Sequence, residues 1–207
     1  MVRVYPIIEP EDCLESPEVC EALVKSGIAF LQIRGSGNSG EEVIRTAVSK
    51  MRALCSKHKV ELIVNDAAAL AADENVGVHL GQSDLALNEA RQLLKEGQCI
   101  GISTHSEDEA RNALSADYIA VGPIYPTQSK ADAHEVVGTE MIKKVKMLIS
   151  NSSAHSTPLV AIGGINQENY RACIESGADY VASISVFRDA VTGRLRPDAS
   201  DIAVAFQ

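Results

Sequence analysis

Asp66 and Asp84 each stand just past a short apolar run: Glu61–Val64 leads into Asn65-Asp66, and Gly77–Leu80 leads into Gly81-Gln82-Ser83-Asp84. Two hard carboxylates held near each other suit Mg2+, which keeps several waters and shares ligands with substrate phosphates. Asp66 also precedes a helical pattern and can equally cap it, and Asp84 can equally be a turn residue. Two cations fall at comparable places. Arg34 follows Ala29–Ile33, and Lys130 lies in the loop after Tyr118–Val121. An arginine offers phosphate oxygens a bidentate fork and a lysine offers a point charge, while the plain alternative for either is a surface ion pair. Gly163-Gly164, after Leu159–Ile162, lets a phosphate reach backbone amides or else makes a tight turn. Ser185 adds a hydroxyl donor or caps a helix. His79 reads as a satisfied core histidine, and no Ser-His-Asp or Cys-His order stands out.

The elements that position these residues are strands and helices in alternation. Eight β-branched runs, each suited to a strand buried on both faces, are Val2–Ile8, Ala29–Ile33, Glu61–Val64, Gly77–Leu80, Cys99–Ser103, Tyr118–Val121, Leu159–Ile162 and Tyr180–Ile184. Between them lie helical patterns at Pro17–Ser26, Gly40–His58, Ala67–Asp73, Leu87–Lys95, Ser106–Ser115, Gly138–Ile149 and Asn166–Ser176. Ser16 reads as an N-cap, Ser106 with Glu109 as a capping box, and Gly27 and Gly177 as helix stops. Repeated strand–helix units predict parallel strands with right-handed crossovers. Eight strands predict a closed (β/α)8 TIM barrel of the α/β class, as one domain over residues 1–207, with an open doubly wound sheet as the alternative. In such a barrel the active site lies at the carboxyl ends of the strands, where the polar and glycine residues gather.

Composition narrows the function classes. A net charge of −9 on 207 residues argues against a nucleic-acid partner, yet leaves room for phosphorylated small molecules held by local cations and backbone amides. The five cysteines, Cys13, Cys20, Cys55, Cys99 and Cys173, show no CxxC spacing and read as reduced core thiols. No apolar run approaches a membrane span, and the N-terminal segment does not read as a signal peptide. The expectation is a soluble cytoplasmic protein with no membrane or nucleic-acid partner.

At Gln32-Ile33-Arg34, Val64-Asn65-Asp66, the run GVHLGQSD ending in Asp84, Gly101-Ile102-Ser103, the run VGPIYPTQSK ending in Lys130 and the run VAIGGI ending in Ile165, the sequence resembles the thiamine-phosphate synthase family. The matches run in order along nearly the whole chain, and the sixth-strand loop is the most specific. The resemblance implies a (β/α)8 transferase joining hydroxymethylpyrimidine diphosphate to hydroxyethylthiazole phosphate, with dissociative loss of pyrophosphate. It implies that Asp66 and Asp84 hold Mg2+ and that Arg34, Asn65 and Lys130 grip the pyrophosphate. It assigns Gln32 and Ser103 to the pyrimidine and its leaving group, and Thr127, Ser129, Gly164, Ile184 and Ser185 to the thiazole phosphate. Arg34, Ser103 and Lys130 would be the catalytic set, and a homodimer would be the assembly.

The chain departs from the family pattern after Arg34. An acidic residue and then lysine are usual there, whereas this chain has Gly35-Ser36, so one pyrophosphate cation is missing. The GSGNSG stretch that follows reads as a mobile lid. Two rivals remain. A thiazole tautomerase relative shares the fold, but has a histidine where this chain has Pro123 and tends to lack the Asn-Asp pair and the second Asp. The other is a non-catalytic phosphate-ligand binding protein on the same barrel. The segment after Arg196-Pro197 predicts a short or irregular last helix.

Overall fold

The computed structural model describes residues 2–35, 39–127, 135–154 and 156–207. Each apolar run becomes one strand: β1 Val4–Ile8, β2 Phe30–Ile33, β3 Glu61–Asn65, β4 Gly77–Leu80, β5 Ile100–Thr104, β6 Tyr118–Val121, β7 Leu159–Ile162 and β8 Tyr180–Ser183. The strands run parallel in sequence order, and β8 pairs back onto β1 with Val4 opposite Val181. That last pairing makes a closed (β/α)8 barrel and rules out the open sheet. The surrounding helices are α1 Pro10–Glu15, α2 Pro17–Lys25, α3 Glu41–His58, α4 Ala68–Glu74, α5 Leu87–Leu93, α6 Glu107–Asn112, α7 Gly138–Ser150, α8 Tyr170–Glu175 and α9 Ala199–Val204. None of the helices among the described residues is long and apolar enough to cross a membrane.

Several local outcomes differ from the sequence reading for identifiable reasons. Helix α1 was not foreseen. It starts on Pro10 at its first position, and the Asp12 carboxylate accepts the Glu9 N–H at 2.8 Å. Ser16 occupies the N-cap of α2 but makes no capping bond there, and Pro17 sets that start instead. The Asn166–Ser176 pattern is helical only from Tyr170. Ahead of it the Asn166 side chain accepts the Glu168 N–H, and the Asn169 side chain accepts the Asn166 N–H, each at 2.8 Å. Asparagine bonds of this kind hold the backbone in a turn and delay the helix. Ser106 does cap α6 through the Glu109 N–H at 3.2 Å, while the Glu109 carboxylate takes the His105 N–H rather than that of Ser106. The last helix is six residues long, as short as its sequence implied.

Side chains alternate along each strand, so each strand feeds two cores. Outward residues such as Leu31, Ile33, Leu62, Val64, Val78 and Leu80 pack under the helices. Each such side chain, taken from water, contributes about 1.5–3 kcal/mol. Inward residues fill the barrel: Tyr5, Ile63, Tyr118, Ala120, Val160 and Ala182 form an inner cluster against Phe30 and Tyr180. The aromatic rings meet at an angle, with Tyr5 to Phe30 centroids 5.2 Å apart and Phe30 to Tyr118 centroids 5.5 Å apart. Such tilted contacts are the favoured geometry of aromatic pairs.

Candidate active site

A pocket opens at the carboxyl ends of the strands, directly above the inner cluster. Its wall takes Gln32 and Arg34 from β2 and its loop, Asn65 from β3, and His79 from β4. Ser103 and His105 come from β5, Gly122, Pro123 and Thr127 from the loop after β6, Gly164 from the loop after β7, and Ile184 and Ser185 from the end of β8. Most of the described site residues expected from sequence thus converge on one pocket, whereas Asp66 and Asp84, on the loops after β3 and β4, are not among its lining residues. Ser129 and Lys130 lie outside the described residues, as does Ser36, where the family's lysine is missing; half of the GSGNSG stretch read as a lid, residues 36–38, also lies outside them.

The two aspartates sit on adjacent strand ends. Asn65 pairs in register with His79, and the Asp66 N–H donates to the His79 carbonyl at 2.8 Å. This fixes Asp66 against the end of β4, from which the Gly81–Asp84 turn departs. Asp66 has a left-handed backbone (φ 61°) and an exposed side chain, which aims it away from regular helix geometry. The N-cap of α4 is Ala67, so Asp66 is not that cap. Asp84 does serve its turn: one carboxylate oxygen accepts the Gly81 N–H at 2.7 Å. Among the described residues no three His, Cys, Asp or Glu side chains cluster as a metal cage. Two carboxylates on neighbouring loops nonetheless fit Mg2+, which needs few protein ligands when phosphates and water complete its octahedron.

The glycine pair after β7 is required by packing. Gly164 has φ 65°, and a Cβ there would stand 2.5 Å from the Pro126 carbonyl oxygen. The β6 and β7 loops therefore pack backbone to backbone, with the Tyr125 N–H donating to the Gly163 carbonyl at 3.0 Å. This close approach carries Thr127 toward the pocket.

Below the pocket runs a chain of buried polar groups that the sequence reading missed. Gln32 Nε2 donates to the Tyr5 hydroxyl at 2.9 Å, and that hydroxyl lies 3.0 Å from the Tyr118 hydroxyl. Tyr118 in turn lies 2.8 Å from His79 Nδ1, and His79 Nε2 lies 2.8 Å from Ser103 Oγ. Each hydroxyl has one proton to give. Since Tyr5 receives from Gln32, its proton goes to Tyr118, that of Tyr118 goes to Nδ1, and Nε2–H points at Ser103. The opposite order would leave the buried Tyr5 proton without an acceptor, which costs about 1–3 kcal/mol. Burial pushes both phenols well above their ordinary range, so they act as neutral donors. His79 donates to Ser103 and so does not serve it as a base; the Ser–His contact is no nucleophilic pair. Ser103 keeps its own proton for a ligand, and Gln32 keeps its carbonyl oxygen.

His105 also reaches the pocket wall, with Nδ1 2.6 Å from the Gly122 carbonyl. Its signal was its place two residues past Ser103, where a strand end must deliver a side chain to the mouth. The signal for Tyr5 and Tyr118 was their period-two spacing from Ile7 and Ala120 on inward faces.

Similarity to known proteins agrees with this geometry. The family model described as thiamine monophosphate synthase matches residues 4–187. The chain belongs to the thiamine monophosphate synthase family. Among members of that family, the thiamine-phosphate synthase of Shouchella clausii is 41% identical over 172 residues, 81% of this chain and 78% of the relative. That of Halalkalibacterium halodurans is 39% identical over 191 residues, 88% of this chain and 86% of the relative. The thiamine phosphate pyrophosphorylase structure from Pyrococcus furiosus superposes with a TM-score of 0.78 at 28% identity, covering 99% of this chain and 93% of that one. As a family member the chain is a transferase. Gln32, Arg34, Asn65, Ser103, Thr127 and Gly164 all line the one pocket described above.

Proposed function

We propose that the protein is a Mg2+-dependent thiamine-phosphate synthase that displaces pyrophosphate from hydroxymethylpyrimidine diphosphate with the nitrogen of hydroxyethylthiazole phosphate. The observation that carries this reading is the convergence of Gln32, Arg34, Asn65, Ser103, Thr127, Gly164 and Ser185 on a single pocket, in a chain 41% identical to a synthase.

Bond breaking leads in this reaction, so negative charge grows on the departing diphosphate. Arg34 and Asn65 line the pocket, Asn65 directly preceding Asp66, and would hold that group. Asp66 and Asp84 would hold Mg2+, which when bound supplies positive charge to the leaving oxygens. The Gln32 carbonyl and the Ser103 hydroxyl would read the pyrimidine as an acceptor and a donor. Thr127, Gly164 and Ser185 would take the thiazole phosphate across the pocket, with Ile184 against the ring. Lys130 and Ser129 belong to the same reading. Fixing both substrates in line removes the entropic cost of their meeting, worth up to about 7–11 kcal/mol in favourable cases. Five free thiols fit work in the reducing cytoplasm.

The decisive experiment is a coupled pyrophosphate-release assay with both substrates, with and without Mg2+, together with detection of thiamine phosphate. Formation of both products only with Mg2+ is expected. Binding without turnover would mean a ligand-binding protein, and metal-independent isomerisation of a thiazole carboxylate phosphate would mean a tautomerase.

A further inference from the structure

The pocket-lining end of β8 is held by a buried ion pair that lies outside the pocket itself. Ser185–Phe187 form a 3-10 turn, the Phe187 side chain is fully buried, and Arg188 follows at once. Arg188 Nη1 donates to one Asp12 oxygen at 2.8 Å, and Nη2 lies 2.6 Å from the other. The two side chains are only 12% and 7% exposed. Asp12 also accepts the N–H of Glu9 at 2.8 Å and of Leu195 at 3.3 Å, and Arg188 donates to the Gly193 carbonyl at 3.1 Å. Asp12 belongs to α1, which directly follows β1, so the pair crosses the seam where β8 closes on β1.

We propose that the Arg188–Asp12 pair is a positioning clamp that sets Ile184 and Ser185 for a substrate's phosphate; this rests on the function proposed above. A buried ion pair contributes little net stability against apolar side chains of the same size, because desolvation offsets the attraction. The two contacts to one carboxylate, a hydrogen bond from Nη1 and an ion-pair contact from Nη2, do fix geometry. Only Val186 and the buried Phe187 separate Arg188 from Ser185, and the Arg188 N–H donates to the Ser185 carbonyl at 3.1 Å. Little slack remains, so a shift of the guanidinium passes to the pocket wall. Misplacement of about 1 Å can cost a hundredfold in rate.

Steady-state kinetics of the full chain with Mg2+, varying each substrate in turn, test the clamp. Arg188→Lys keeps the charge without the fork, and Arg188→Met removes both. Each is expected to raise the KM for thiazole phosphate about tenfold while the KM for pyrimidine diphosphate stays within about twofold. Arg194→Ala breaks the solvated pair to Glu15 of α1 (73% and 54% exposed) and is expected to change neither. The double variant Asp12→Asn/Arg188→Met is expected to regain the thermal midpoint lost by Arg188→Met while keeping the raised KM. Equal rises for both substrates, recovery of KM along with the midpoint, or unchanged KM in Arg188→Lys would overturn the clamp. Should Arg188→Met fail to fold, Arg188→Lys carries the comparison. Should the wild-type protein make no thiamine phosphate, the functional reading falls separately. The clamp is then judged by calorimetry with inorganic phosphate, where about tenfold weaker binding by Arg188→Lys is expected; equal affinity, or no binding by either protein, overturns it.

Discussion

His79 Nε2 approaches Ser103 Oγ to 2.8 Å while its other ring nitrogen meets Tyr118, so one imidazole joins the pocket wall to the barrel interior. Tyr118→Phe removes one oxygen and keeps the ring. It leaves Nδ1 of His79 and the Tyr5 hydroxyl without their partner, so a stability loss of about 1–3 kcal/mol is expected in urea denaturation. Loss of the chain's direction also frees Ser103, and the KM for the pyrimidine substrate is expected to rise by about tenfold, near 1.4 kcal/mol. An unchanged KM would mean that Ser103 is oriented without the chain.

Gly101 makes room for that same tyrosine. A Cβ on Gly101 would fall 1.9 Å from Tyr118 Cζ, with both neighbouring ring carbons within 2.4 Å. The ring is fully buried against Tyr5 and Phe30 and has no direction in which to yield. Overpacking typically costs about 1–3 kcal/mol, and this site lies at the upper end or beyond. Gly101→Ala is expected to give little soluble protein, or a thermal midpoint many degrees lower; a wild-type midpoint would contradict the packing.

Asp84→Asn separates charge from turn geometry. The amide oxygen can still accept the Gly81 N–H, so the fold is expected to persist by circular dichroism. The lost carboxylate charge is expected to reduce Mg2+-dependent pyrophosphate release by about 10²–10³-fold, the scale on which removal of one transition-state stabiliser acts. Turnover like that of the wild type would remove Asp84 from the metal site.

Burial pushes the Cys55 thiol up to about 12 and the Cys173 thiol up to about 11, against an ordinary 9.0. The folded chain keeps these protons where the unfolded chain loses them. Their contribution to stability is therefore complete below about pH 9 and declines as pH climbs through the folded values. Urea midpoints measured from pH 8 to 11 are expected to fall. At pH 8, an aromatic disulfide reagent is expected to label Cys13, Cys20, Cys55 and Cys173 only after denaturation, since all four are buried. Fast labelling of all five in the native protein would contradict this burial.

The barrel was legible because eight β-branched runs recur with helical patterns between them, and no open sheet explains β8 pairing with β1. The pocket wall was legible because Gln32, Asn65, Ser103 and Gly164 each sit at a strand end, where a parallel barrel must present them. The interior chain was not. Tyr5 and Tyr118 are ordinary strand residues by type, and His79 looks like a satisfied core histidine, which it is. What makes them part of the site is that β1, β4, β5 and β6 bring their tips within 3.0 Å, a relation between strands far apart in sequence. Helix α1 was hidden for a similar reason, since its start depends on Asp12, whose carboxylate is also fixed by Arg188 at the other end of the chain.

The tyrosine–histidine layer fills the barrel and also forms the floor beneath the ligand. A barrel whose interior is purely hydrocarbon can trade one side chain for another of like volume and leave its mouth alone. Here any such exchange rewrites hydrogen-bond polarity at Gln32 and Ser103. Directed evolution toward heat resistance should consequently find its gains among the outer helices and leave the inner ring untouched.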